Sequence, residues 1–198
     1  MEKSLHAHQN RITHLEYDEI ENPIKVIGQF FMLADLYDHL KMLKQWRNAI
    51  AFESRNTRNI TPSNLLYLHD VTMKLIEAAW LLKDQELGEY NMEDKIESDL
   101  LKLYIKTERK QSICYPKTLK LRQKLNPQMI ITDTFKTYSL NDYRRILEVW
   151  LYDALSFDFS EESLTKSDVI IVYERIVALF EATYLINVRF RMSEKSEC

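Results

Sequence analysis

Asn22-Pro23-Ile24-Lys25-Val26-Ile27 and Asn126-Pro127-Gln128-Met129-Ile130-Ile131 open two stretches that superpose without a gap when the chain is slid on itself by 104 positions. Residues 22–82 then fall on residues 126–186 with 14 identities in 61 positions. Chance matching at ordinary composition gives about 4. Phe31, Leu36, Asp38, Leu43 and Trp46 meet Phe135, Leu140, Asp142, Leu147 and Trp150. Thr61, Ser63, Leu75, Glu77, Ala78 and Leu81 meet Thr165, Ser167, Leu179, Glu181, Ala182 and Leu185. A shared helical pattern inflates apolar matches, so the polar and tryptophan matches carry the argument. Internal similarity of this kind predicts two stackable units.

The matched residues read as helix starts. Asn-Pro places a capping side chain before a proline at the first helical position, where the missing N–H costs nothing. Asp35-Leu36-Tyr37-Asp38 and Ser139-Leu140-Asn141-Asp142 put a capping residue three positions before an acid, a capping box with Asp in place of Glu. Thr61-Pro62-Ser63-Asn64 and Thr165-Lys166-Ser167-Asp168 repeat the device. The spacing predicts helices over 23–34, 36–54 and 62–83, then 127–137, 140–156 and 166–188. Met129-Ile130-Ile131-Thr132 is β-branched enough to make the fourth irregular. In the last helix of each unit, Leu68, Val71, Leu75, Ala78 and Leu82, and Val172, Ile176, Leu179, Phe180 and Ile186, recur mostly at three- and four-residue steps. Both helices are apolar around much of their circumference and should lie centrally.

Composition agrees with an all-α chain. Only Gly28 and Gly88 occur among 198 residues, where average usage gives about 14. Phosphate-cradling loops, dinucleotide fingerprints and most tight hairpins need glycines at fixed places and are excluded. The expected architecture is an all-α bundle of two tandem three-helix units related by a pseudo-twofold, like a homodimer joined into one chain. The divisions are an N-terminal helix in 1–21, unit 1 in 22–83, a charged helical connector in 84–125 with a helix over 92–110, unit 2 in 126–190 and a polar tail in 191–198.

With 27 basic and 30 acidic side chains, the net charge is −3. No apolar run reaches membrane-spanning length, and no signal core precedes residue 20, so a cytoplasmic protein with no membrane partner is expected. Cys114 and Cys198 form no metal-binding spacing, and no Glu-x-x-His pair is present, so no metal or cofactor is expected. No nucleophile–base constellation is visible, which leans away from an enzyme.

Two features bear on binding. Glu77 and Glu181 occupy matching positions on partly apolar stripes. Buried, they would be either a paired-carboxylate site or two structural salt bridges, for instance Glu77 with Lys74 or with an arginine of a neighbouring helix. The connector has split charge: residues 84–99 are acidic, whereas Lys102, Lys106, Arg109, Lys110, Lys117, Lys120, Arg122 and Lys124 follow with Glu108 the one acid among them. Tyr104 and Tyr115 lie among these bases, so the segment could follow a phosphate backbone and stack a base.

Arg47-Asn48-Ala49-Ile50-Ala51-Phe52-Glu53-Ser54 resembles the Arg-Asn-x-x-x-His signature of HEPN domains, helical nucleic-acid-associated proteins of prokaryotic defence and toxin systems. In that family a dimer brings two Arg/His pairs together to cut RNA. Here Phe52 stands in place of the histidine, and Leu151–Ser156 of the second unit has neither residue. The resemblance implies a fold and RNA binding without ribonuclease activity. The leading expectation is a non-enzymatic interaction or regulatory protein that binds a protein partner. The alternative is a catalytically degenerate, HEPN-like nucleic-acid-binding protein. The sequence leaves the oligomeric state open.

Overall fold

The chain was analysed as a computed structural model, which describes residues 10–51, 60–92, 96–97, 100–112, 114–156 and 164–196. Among these residues there are nine α-helices, a 3-10 turn at Gly88–Tyr90, and no strand. The helices are α1 (Tyr17–Glu21), α2 (Pro23–Leu33), α3 (Leu36–Ala51), α4 (Pro62–Leu82), α5 (Leu101–Gln111), α6 (Leu121–Leu125), α7 (Gln128–Thr137), α8 (Leu140–Leu155) and α9 (Lys166–Ser196). Phe52, Glu53 and Ser54 lie outside the described residues, as do residues 1–9 of the expected N-terminal helix.

The helices begin where the sequence supplies caps. The Asn22 side chain accepts the Lys25 N–H at 3.3 Å, and Asp35 accepts the Asp38 N–H at 2.9 Å. Thr61 and Thr165 accept the N–H groups of Asn64 and Asp168. Ser139 and Asp142 form a reciprocal box: each side chain bonds the other residue's backbone N–H. Asn126 departs from its expected role. Its Oδ1 is buried and has no partner among the described residues, and the Met129 N–H goes to the Asn126 backbone carbonyl instead. α7 is nonetheless regular through Met129–Thr132, because Ile130 and Ile131 are buried and packing outweighs their modest helix propensity. The last helix passes the expected end at 188 and reaches Ser196. No glycine or proline follows residue 165 to stop it. The connector helix starts at Leu101 rather than near 92, and residues 10–16 precede a helix α1 of a single turn.

The packing interlocks the two stretches. α4 packs on α2 and on α8, while α9 packs on α7 and on α3. The last helix of each stretch therefore lies against the second helix of the other. α3 and α8 meet in the middle, where Trp46 and Trp150 are fully buried with their rings edge-on, 5.6 Å between centroids. Trp46 Nε1 donates to the Trp150 carbonyl at 3.2 Å, across 104 residues. His39 and Tyr143 fill matching positions on α3 and α8 with different chemistry but the same bond. His39 Nε2 donates to the Phe30 carbonyl at 2.9 Å, and Tyr143 Oη donates to the Thr134 carbonyl at 3.3 Å.

The connector is fastened by one buried ion pair. Arg189 of α9 forks onto Glu108 of α5, Nε to Oε1 at 2.8 Å and Nη2 to Oε2 at 3.2 Å, with both side chains almost wholly buried. Its remaining N–H groups reach the carbonyls of Tyr90, Lys124 and Leu125. Tyr104 and Tyr115 donate their hydroxyls to the same Glu108 carboxylate. Burial first, and then the Glu108 charge, pushes the Tyr104 hydroxyl up to about 12. Every hydrogen-bonding atom of the carboxylate is thus served, the condition under which a buried pair is tolerated.

Two histidines sense this packing. Burial holds both His39 and His69 below the ordinary 6.5, and in His69 the nearby His14 adds to it. The neutral form is favoured in the fold, so below pH 6.5 the unfolded chain takes up more protons and stability falls as pH drops. The thermal midpoint should decline between about pH 7 and 5.5, and His39→Gln with His69→Gln should flatten that slope. A wild-type midpoint that stays level over the interval would contradict the burial of neutral rings.

Candidate binding cleft

Glu77 sits in the middle of α4 and is fully buried. Its carboxylate turns toward the segment before α1 and collects the backbone N–H groups of Thr13 (3.0 Å), His14 (2.8 Å) and Leu15 (3.2 Å). The Thr13 hydroxyl and the His14 ring complete the near side. Arg144 of α8 donates Nη2 to Oε1 at 3.0 Å. Desolvation pulls this carboxyl upward, but the N–H groups of His14 and Thr13 and the Arg144 guanidinium outweigh it and hold the group below its ordinary 4.5. The expected lysine is absent from the set: Lys74 pairs with Glu19.

Glu181 sits at the matching place on α9 and is as deeply buried. It takes the N–H groups of Lys117 (2.8 Å), Thr118 (2.9 Å) and Leu119 (3.2 Å), with the Thr118 hydroxyl at 2.7 Å. The two carboxylates are therefore not a shared acid site. Each clamps the bent segment that leads into a one-turn helix, α1 or α6. Those segments, 13–15 and 117–119, stand at the same 104-residue offset as the two tryptophans.

Beside Glu181 the surface opens into a cavity of about 650 Å³. Its walls come from three places. The first turns of α3 give Leu36, Tyr37 and Leu40; α5 gives Ile105 and Arg109; the segment after it gives Ser112, Cys114, Tyr115, Pro116 and Lys117. Lys124 of α6 and Glu181 of α9 close it. Leu36, Leu40 and Ile105 make an apolar floor, Arg109 and Lys117 stand at the exposed mouth, and Lys124 lies 5.3 Å over the Tyr115 ring. The cleft joins apolar and charged walls in a concavity, and binding pockets combine these two elements.

The basic residues of the connector divide among three places. Lys102, Lys106 and Lys110 are exposed on α5 and do not line the cleft; Arg109, Lys117 and Lys124 line it; Lys120 and Arg122 are exposed at α6. Among the described residues, Lys102, Lys106, Arg109, Lys110, Lys117 and Lys120 form no ion pair. Tyr104 and Tyr115 are both half-buried and tied by their hydroxyls to Glu108, and of the two Tyr115 lines the cleft. Arg47 lies 4.5 Å over the Tyr173 ring and donates to Asn48 Oδ1, so α3 and α9 hold it between them. Among the described residues no group of three or more His, Cys, Asp or Glu could hold a metal ion, and no helix is long and apolar enough to cross a membrane.

Arg144, Arg189 and Leu40 did not stand out in the sequence. Arg144 had a signal: it interrupts the apolar stripe of Leu140, Tyr143, Leu147 and Trp150. Arg189 likewise sits within the apolar run from Tyr184 to Phe190. A charge on a core-facing stripe demands a buried counter-charge.

No protein-family model, no curated protein and no solved structure matches this chain.

The two carboxylates should respond unequally to neutralisation. Glu77→Gln strands the Arg144 guanidinium against the core and should cost about 3–5 kcal/mol. Glu181→Gln weakens charge-assisted bonds without orphaning a cation and should cost about 1.5–3 kcal/mol. Urea unfolding of the two variants decides it, and a larger loss for Glu181→Gln would overturn the assignment of partners.

Proposed function

We propose that this chain is a non-enzymatic binding protein that receives a segment of a protein partner in the cleft beside Glu181. The observation that carries this reading is the cleft itself: an apolar floor of Leu36, Leu40 and Ile105, cations at the mouth, and a buried carboxylate at one end. Apolar walls favour side chains of a peptide, and Arg109, Lys117 and Lys124 favour acidic residues on either side of them. None of the polar groups there forms a nucleophile–base pair within hydrogen-bond reach among the described residues, so the arrangement suits recognition.

We infer further that the fold arose by duplication, residues 13–82 matching 117–186, with the halves about a pseudo-twofold that passes near Trp46 and Trp150. What supports this is the recurrence of bonds at one offset. Glu77 and Glu181 clamp segments 13–15 and 117–119, the Glu16 N–H goes to Glu19 Oε2 as the Lys120 N–H goes to Gln123 Oε1, and helices α3 and α8 have matching bounds. Chemistry differs at several of these positions while the bond is kept, which shared composition does not explain.

A second reading, nucleic-acid binding by a degenerate HEPN-like protein, draws support from the exposed cations Lys102, Lys106 and Lys110 on α5. Such a row neutralises phosphates and yields steep salt dependence. The engaged tyrosines leave it without free stacking platforms, and this places it second.

Selection of a random peptide library on the full chain separates the readings. Selected peptides should be rich in acidic and apolar residues and should bind about tenfold more weakly to a Lys117→Glu, Lys124→Glu variant. Lys102→Glu, Lys106→Glu, Lys110→Glu should leave them unchanged. The opposite pattern would sink the protein-partner reading: labelled single-stranded RNA bound with a steep salt slope, abolished by the α5 substitutions, and no peptide selected.

A further inference from the structure

The Glu77 and Glu181 carboxylates share one set of donors, and Glu77 has two more. Each takes three consecutive backbone N–H groups and a threonine hydroxyl, but Glu77 also takes the His14 ring and, from the facing helix α8, the Arg144 guanidinium. Arg144 is the fifth residue of α8. The fifth residue of α3 is Leu40. α3 packs on α9 as α8 packs on α4, so Leu40 stands on the Glu181 side where an arginine stands on the Glu77 side. Leu40 is shorter and carries no charge. Leu40 and Glu181 both line the 650 Å³ cavity, so the leucine leaves open space on the side of Glu181.

We propose that this cavity is a receptor for an arginine side chain of the partner protein, its guanidinium bonded to Glu181 Oε1 as Arg144 Nη2 is bonded to Glu77 Oε1. The proposal rests on the reading of the cleft as a protein-docking surface and names the residue that anchors there. A planar, weakly hydrated fork suits a buried carboxylate better than a strongly hydrated ammonium does, and the Tyr37 ring on the cavity wall offers it a face. The cations at the mouth do not forbid this. Arg109 and Lys117 stand in water, where their fields are screened, and the half-buried Lys124 lies over the Tyr115 ring, whereas Glu181 is only 1% exposed and acts through low-dielectric surroundings. The mouth cations select instead for acidic residues beside the arginine, which fixes the recognised pattern as an arginine flanked by carboxylates. The cavity exceeds one side chain in size, as a site that also admits the neighbouring backbone should.

The test uses amide resonances as local reporters. N-acetyl-arginine methylamide is titrated into the full-length chain, followed by the backbone N–H signals of Lys117, Thr118 and Leu119; those of Thr13, His14 and Leu15 serve as the filled control. Saturable shifts confined to 117–119 are expected. They should be absent with the citrulline analogue, which keeps the shape and loses the charge, and absent in a Leu40→Arg chain, whose own guanidinium fills the place. Leu40→Arg should also raise the thermal midpoint relative to Leu40→Met, a gain that Glu181→Gln removes. A peptide with arginine between glutamates should bind at least tenfold tighter than the lone derivative, which assigns the guanidinium to a protein segment rather than to a free metabolite. Equal shifts with arginine and citrulline, or shifts that persist in Leu40→Arg, would overturn the anchor. That result would leave the cleft reading standing on its own charge-reversal test, whereas loss of all selected peptides would remove the cleft reading first.

Discussion

A carboxylate taken out of water must be given donors, and in this fold the donors come from the chain's own backbone. Burying an ion costs several kcal/mol even after relaxation. Glu77 and Glu181 meet that cost by gathering three successive N–H groups each, and those groups belong to segments with few other reasons to lie where they do. The carboxylates thereby set the paths of residues 13–15 and 117–119, and through them the placement of α1 and α6. The same logic fastens the connector, where Glu108 and Arg189 exchange two bonds and the rest of the guanidinium is spent on three carbonyls. Three buried acids thus hold in place most of what is not itself core helix.

The division between what was readable in the sequence and what was not follows from where each signal resides. Helices α2 to α4 and α7 to α9 were legible because caps and apolar steps are local: Thr61, Ser139 and Thr165 bond residues three positions away. The match between the halves faded upstream of residue 22 for a physical reason. Glu77 and Glu181 bond backbone amides, which any residue supplies, so Thr13-His14-Leu15 and Lys117-Thr118-Leu119 need share only the leucine that turns inward. The burial of both acids could be suspected from their stripes. Their partners could not, because Arg144 lies 67 residues from Glu77 and leaves no spacing to recognise. The cleft was invisible for the same cause. It is assembled from α3, the connector and α9, and its character depends on a leucine standing where the other half has an arginine.

The connector illustrates how composition misleads when burial is unknown. Its tyrosines and bases look like a nucleic-acid surface on the page. In the fold, both hydroxyls are consumed by Glu108, and the bases separate into an exposed row on α5, a set around the cleft and a pair at α6. Glu108, the one acid among the bases of 102–124, is the residue that organises that stretch.

The exchange of helices between the halves has a consequence for synthesis. α4 rests on α8 and α9 rests on α3, so neither half holds its own complete core. A ribosome that has finished α4 still has 57 residues to translate before α8 begins at Leu140. During that interval a 21-residue, largely apolar helix has only half its partners. Long-range closure of this kind slows folding and lengthens exposure of sticky surface. The acidic stretch at 84–99 is translated during that interval, and net charge of one sign opposes association of exposed apolar surface.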